Sequence, residues 1–129
     1  MIFSGTRPNN LGVQDSRLTP CPNSPNCVCS QDQDSLHQIA PLHFTSTSAQ
    51  ALSQLKNVIQ SLPRTTIITE TEDYLYVEFK TALMGFVDDV EFYFDASSQV
   101  IHVRSASRLG YGDLGVNRNR IEMIRAKFA

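Results

Sequence analysis

Phe86-Val-Asp-Asp-Val-Glu-Phe-Tyr-Phe-Asp95 is the stretch on which the fold turns. Phe86, Val90, Phe92 and Phe94 fall on one side with Asp88, while Val87, Asp89, Glu91, Tyr93 and Asp95 fall on the other. A period of two with one apolar side describes a strand with one buried face. The preceding segment, Asp73–Lys80, alternates in the same way, with Leu75, Val77 and Phe79 opposed to Tyr74, Tyr76 and Glu78. Ala96–Gln99 reads as a hairpin loop into a further strand, Val100–Ser105. Pairing Asp95 with Val100 sets Asp89 and Val90 opposite Ser105 and Ala106, which brings the acidic pair beside Arg104 and Arg108. The β-branched run Thr65–Thr71 supplies a fourth strand.

Helical periodicity flanks these strands. Leu52, Leu55, Ile59 and Leu62 recur on one helical face, Thr47 and Gln50 offer a capping box, and Pro63 stops the helix at Leu62. Ile121, Ile124 and Phe128 mark a second helix at the C-terminal end. The order arm–α–β–β–β–β–α predicts an α+β fold. Its four-stranded, mainly antiparallel sheet would carry both helices on one face.

Residues 1–45 form the arm. Five of the six prolines and all three cysteines fall there. Proline fixes φ and removes a donor, so an extended, irregular segment is expected in place of helix or sheet. Scattered apolar residues (Phe3, Leu11, Val13, Leu18, Val28) suggest that it packs along the 46–129 core. The 129 residues are expected to make one domain.

Composition narrows the function classes. At 41% hydrophobic and 19% charged, with 6 glycines and 6 prolines, the chain is neither disordered, collagenous nor a coiled coil. No apolar run approaches the roughly 20 residues of a membrane span. Met1-Ile2-Phe3 opens no signal peptide, so a cytoplasmic location is expected. A pI near 5.8 disfavours nucleic acid as a partner. The net charge of −2 hides an asymmetry, since residues 65–100 carry one lysine against eight carboxylates and residues 101–129 six cations against two. Those charges can pair within the fold, or the arginines can gather at an anion site.

Two constellations could carry chemistry. Cys21, Cys27 and Cys29 lie within nine residues. Zinc would need a fourth ligand, which His37 or His43 could supply, but the spacing matches no zinc knuckle and no metal site is expected. A Cys21–Cys27 disulfide fits an oxidising compartment, and free thiols in a tight turn fit the cytosol. No catalytic cysteine signature surrounds them, and no cofactor motif is present.

The second constellation is Arg104-Ser-Ala-Ser-Arg-Leu-Gly-Tyr-Gly-Asp-Leu-Gly-Val-Asn-Arg-Asn-Arg120, placed between the last strand and the last helix. Glycines at 110, 112 and 115 open backbone conformations closed to other residues, and Asp113 or Asn117 can cap the helix. A helix N-terminus surrounded by hydroxyls and guanidinium groups is a ready anion site. The run lacks the Gly-Lys-Ser/Thr ending of a phosphate loop and the dinucleotide fingerprint. The competing reading has Arg104 and Arg108 paired with Asp88, Asp89 or Glu91. We expect Arg104 to be structural and Arg108, nearer the glycines, to be open to a ligand. Asp88 and Asp89 are neighbours on a strand, face opposite ways and cannot act as a carboxylate pair. His37, His43 and His102 form no triad with the serines.

Four ordered motifs carry a resemblance: Gly5–Val13, Leu18–Val28, Gly85–Phe92 and Arg104–Arg118. Together they resemble the family catalogued as domain of unknown function 1499, found in bacteria, cyanobacteria and plant plastids. Cys21, Cys27, Asp88, Asp89, Arg104, Ser105, Ser107, Arg108, Asp113, Asn117 and Arg118 sit on motif positions, while Cys29 stands where the family usually has serine. The resemblance implies a shared fold and no established activity, and it implies plastid or membrane-associated settings among relatives.

The sequence reads best as a non-enzymatic binding or scaffold module. Its ligand, a small anion or a protein partner, would meet the 104–120 loop through Arg104, Ser105, Ser107, Arg108, Tyr111, Asp113, Asn117 and Arg118, with Asp88 and Asp89 nearby. Two alternatives stand beside it: an enzyme of unknown reaction using Asp88, Arg104 and Arg108, and a redox or metal role for the cysteine arm.

Overall fold

The computed structural model describes residues 4–82 and 84–129, so the expected anchor Phe3, the opening Met1-Ile2-Phe3 and Leu83 lie outside the described residues. At its centre is an antiparallel meander of β5 (Thr65–Glu70), β6 (Tyr74–Lys80), β7 (Val87–Asp95) and β8 (Val100–Ser107). The β7–β8 register is the one the alternation required, with Asp95 opposite Val100, Val90 opposite Ser105 and Asp89 opposite Ala106. β8 runs two residues past Ser105, because Ala106 and Ser107 pair with Asp89 and Asp88. A register irregularity interrupts β5 between Ile67 and Thr69.

The four-stranded sheet is corrected to six strands among the described residues. The arm is not wholly irregular: it lays β3 (Cys27–Cys29) and β4 (Leu42–His43) end to end along β8. Without them β8 would be an exposed edge with a row of unpaired backbone groups. Strands this short show no alternation of their own, and their prolines argued against them. Upstream, β1 (Val13–Gln14) and β2 (Arg17–Leu18) form a two-stranded hairpin turned by Asp15 and Ser16, both at positive φ.

Helix α1 (Ser48–Gln60) starts with the reciprocal Thr47–Gln50 capping box and stops two residues before the expected Leu62. Helix α2 (Val116–Phe128) buries Ile121, Ile124 and Phe128. Both helices share one core with a single sheet face, formed by Leu75, Val77, Phe79, Val90, Phe92, Phe94, Ile101 and Val103. No helix among the described residues is long and apolar enough to cross a membrane.

Candidate functional site

Strand alternation splits the charged motif between the two faces of the sheet. On the helix side, Asp88, Ser105 and Ser107 point towards the start of α2. Asn117, the fully buried second residue of the helix, is their hub. Its Oδ1 accepts from the Ser105 hydroxyl at 2.6 Å and Arg120 Nη1 at 2.8 Å. Its Nδ2 donates to Ser107 Oγ and Asp113 Oδ2, both at 2.8 Å, and to the Asn26 carbonyl at 3.2 Å. Arg120 then reaches Asp88 Oδ2 at 2.6 Å and lies 4.9 Å over the Phe79 ring. Arg120 was not among the expected site residues, although its spacing of three from Asn117 puts both on one helical face.

The helix N-terminus already holds an anion. Asp113 accepts from the backbone amides of Gly115 and Asn117 at 2.9 and 3.1 Å. Partial burial pushes its carboxyl up, but these donors and the Asn117 side chain hold it below the usual range. A free anion would have to displace a covalently tethered one.

The opposite face carries the other half of the motif, beneath the arm. Arg108 donates to Asp89 through Nε at 3.1 Å and Nη2 at 2.6 Å, and Nη2 also reaches Glu78 at 2.9 Å. The Tyr76 hydroxyl donates to Asp89 at 2.5 Å, and Arg7 from the arm donates to Glu78 at 2.8 Å. The Asp89 hydrogen bond raises the Arg108 pKa further above its already high value. Arg108 is therefore not open to a ligand. Its hydrogen-bonding capacity is spent inside the fold.

Arg104 is the looser of the two. Among the described residues its ion-pair contact is Glu91 at 3.7 Å, and both Glu91 Oε2 and Arg104 Nε are buried without a hydrogen-bond partner there. Glu91 Oε1 accepts from the Gly12 amide and the Tyr74 hydroxyl, each at 2.7 Å, which fastens the arm to the sheet. Burial raises the Glu91 carboxyl above its ordinary range despite those donors. The alternation had already placed Tyr76, Glu78 and Glu91 on this face. What it could not show was that the arm would cover them.

Arg118 leaves the cluster and binds the Leu36 and Gln38 carbonyls of the arm at 3.1 and 2.8 Å. Asn26 Nδ2 reaches the Gly110 carbonyl at 2.9 Å, tying the arm to the glycine loop. The thiols divide as well: Cys21 and Cys27 form a disulfide, and Cys29 is free and buried, its thiol pushed up to about 11 by that burial.

What the motif turns outwards is apolar. Leu109, Tyr111, Leu114 and Val116 are exposed, together with Met84 from the β6–β7 loop. Tyr111 is 70% accessible and Leu114 101%. Leu114 also takes φ 56°, a left-handed conformation costly for a branched side chain without a compensating hydrogen bond. A cleft of about 210 Å³ lies on one side of this loop, lined by Phe86, Val87, Leu109 and Val116 with Asp88 and Asp113. A second of about 300 Å³ lies on the other, between Pro25, Leu36, Leu114 and Arg118. A larger cleft of about 530 Å³ sits by the start of α1 and the β5–β6 turn and includes none of the motif residues.

A family model described as "Protein of unknown function (DUF1499)" matches residues 17–128. No curated protein and no solved structure matches the chain.

Proposed function

This chain belongs to the DUF1499 family, and we propose that it is a non-enzymatic module that docks a protein partner through the 109–116 loop and Met84. One observation carries the reading: Leu114 is wholly exposed and held at positive φ. A strained backbone presenting apolar surface to water opposes folding twice over. Such strain gathers at binding and switch sites, where it serves something other than stability. The clefts on either side of the loop give apolar side chains of a partner somewhere to seat.

The arginines, serines and aspartates around the loop are its support. Each of Ser105, Ser107, Arg108, Asp113 and Asn117 has internal partners, and the helix N-terminus is occupied by Asp113. This favours a protein partner over a small anion. The Cys21–Cys27 bond favours an oxidising compartment over the cytoplasm, since such bonds persist where thiols are not kept reduced.

The test compares wild type with Leu114→Asn in the native host. Asparagine tolerates the left-handed conformation, so the unfolding midpoint should be equal or higher. In size-fractionated native extract, wild type should migrate in a complex and the variant near the 14.4 kDa monomer. Identical migration of the two proteins would contradict the reading.

A further inference from the structure

The 32–37 turn of the arm holds a polar cluster outside the motif just described. His37 is buried, and both of its ring nitrogens face oxygens that can only accept. Nε2 lies 2.8 Å from the Ser24 carbonyl, and Nδ1 lies 2.6 Å from Asp34 Oδ2. A neutral imidazole has one N–H, so it would leave a lone pair pressed against one of these oxygens. Only two states satisfy the ring: a proton on each nitrogen, or a cation in place of the Nδ1 proton. An imidazole that donates one N–H to a backbone carbonyl and turns its other nitrogen towards carboxylates has the outer-shell arrangement of a metal ligand.

Asp32 completes the donor set. One ring nitrogen of His37 and one carboxylate oxygen each from Asp32 and Asp34 all lie within 4.8 Å of one another, and Nδ1 is the nitrogen that meets Asp34. Zinc bonds these donors at about 2.0–2.2 Å in a tetrahedron, which sets any two of them roughly 3.3–3.6 Å apart. The widest separation must close and the 2.6 Å contact between Nδ1 and Asp34 Oδ2 must open, which Asp34, with a side chain 54% exposed, does by turning away from the His37 ring and amide that now hold it. Two of the three donors are steadied by the disulfide loop: Asp32 Oδ2 accepts from the Cys21 amide at 3.1 Å, and His37 is held by Ser24.

We propose that His37, Asp32 and Asp34 form a site for one first-row divalent cation, one that takes Zn²⁺ more tightly than Mn²⁺. One imidazole and two carboxylates suit zinc or manganese, and the affinity order places zinc above manganese. The exposed side, beyond Asp34, leaves room for water or a partner's side chain to complete the coordination. Cys21 and Cys27 are bonded to each other, and Cys29, a backbone neighbour of His37 with its thiol buried beside the Gln31 and Asp32 amides, is not among the three clustered donors. Any proton on Nδ1 leaves to solvent before that nitrogen binds the ion, while Nε2 keeps its proton towards Ser24.

The experiment uses the full chain, disulfide intact, stripped with EDTA and titrated calorimetrically with ZnCl₂ and separately with MnCl₂. One ion per chain should bind, zinc more tightly than manganese. Asp32→Asn and Asp34→Asn should each weaken zinc at least tenfold while their unfolding in EDTA stays close to wild type. These variants are preferred to removal of the buried ring, which risks the fold. In ¹⁵N-detected spectra, His37 Nδ1 should shift to a metal-bound position while Nε2 stays protonated. Affinity unchanged in both variants, a shift at His43 or His102 instead, or no zinc binding tighter than millimolar would overturn the proposal.

Discussion

Replacing Arg108 by glutamine removes both guanidinium bonds to Asp89, at 3.1 and 2.6 Å, and the one to Glu78 at 2.9 Å. Glu78 keeps Arg7. Asp89 is buried and, among the described residues, keeps the Tyr76 hydroxyl alone for its side chain. A buried carboxylate stripped of its cation costs about 3–5 kcal/mol. Unfolding entropy near 2.1 cal/mol/K per residue gives about 0.27 kcal/mol/K over this chain, so Tm should fall by roughly 11–18 °C. Arg104→Gln makes the comparison, because its guanidinium stands 3.7 Å from Glu91 and leaves Nε without a partner. Removing it also removes an unsatisfied buried donor, while Glu91 keeps the Gly12 amide and the Tyr74 hydroxyl. Its cost should stay near about 1–2 kcal/mol. Urea unfolding followed by circular dichroism at pH 7, with the disulfide intact throughout, reads both. Arg104→Gln proving the costlier of the two, or Arg108→Gln costing under about 1 kcal/mol, would refute the reasoning.

Asn117→Leu should cost at least about 3 kcal/mol in the same assay, because it removes the acceptor of the buried Ser105 hydroxyl, which among the described residues keeps only Arg120 as a donor, and loosens Arg120 and the Asp113 cap together. Reducing the Cys21–Cys27 bond, which closes a loop with sequence separation 6, should cost about 2 kcal/mol by chain entropy. A midpoint unmoved by reductant would contradict that. The pH profile has two limbs. Glu78 and Asp113 are held below the usual range, Glu78 by Arg108 and Arg7 against its own partial burial. Their contribution is present above the ordinary carboxylate pKa and is lost as pH falls through their folded values. Glu91 is raised by burial, so its contribution is full below the ordinary value and lost as pH rises through its folded one. Glu91→Gln should therefore flatten the decline on the alkaline side of the optimum and leave the acid limb in place, as measured by urea unfolding from about pH 3 to 8.

The alternation of Phe86–Asp95 and Asp73–Lys80 made the meander and its register legible, because a one-residue slip would bury the wrong side of every strand. β3 and β4 were not legible. Two- and three-residue strands show no period, and what recruits them is the open edge of β8, a tertiary fact. The charged motif was visible as a cluster, and the placement of Asp89 beside Arg108 followed from register. The roles of the arginines did not. Proximity to the glycine loop suggested that Arg108 was available, whereas the arm buries it and leaves Arg104 the less well paired. Leu109, Leu114 and Val116 could have been noticed as apolar residues in a glycine-rich turn that match no helical or strand face. The His37 cluster escaped because its donors are brought together by a turn that no local pattern announces.

The central claim, that the motif exists to hold the 109–116 loop outwards for a protein partner, is tested most directly by site-specific photocrosslinking in the native host. A photoreactive residue would be placed at Leu114, at Ser53 in the larger cleft beside α1, and at Ser97 in the β7–β8 hairpin. One discrete adduct is expected from position 114, identified by mass spectrometry, and none from positions 53 and 97. An adduct from position 53 or 97 with nothing at 114 would contradict it.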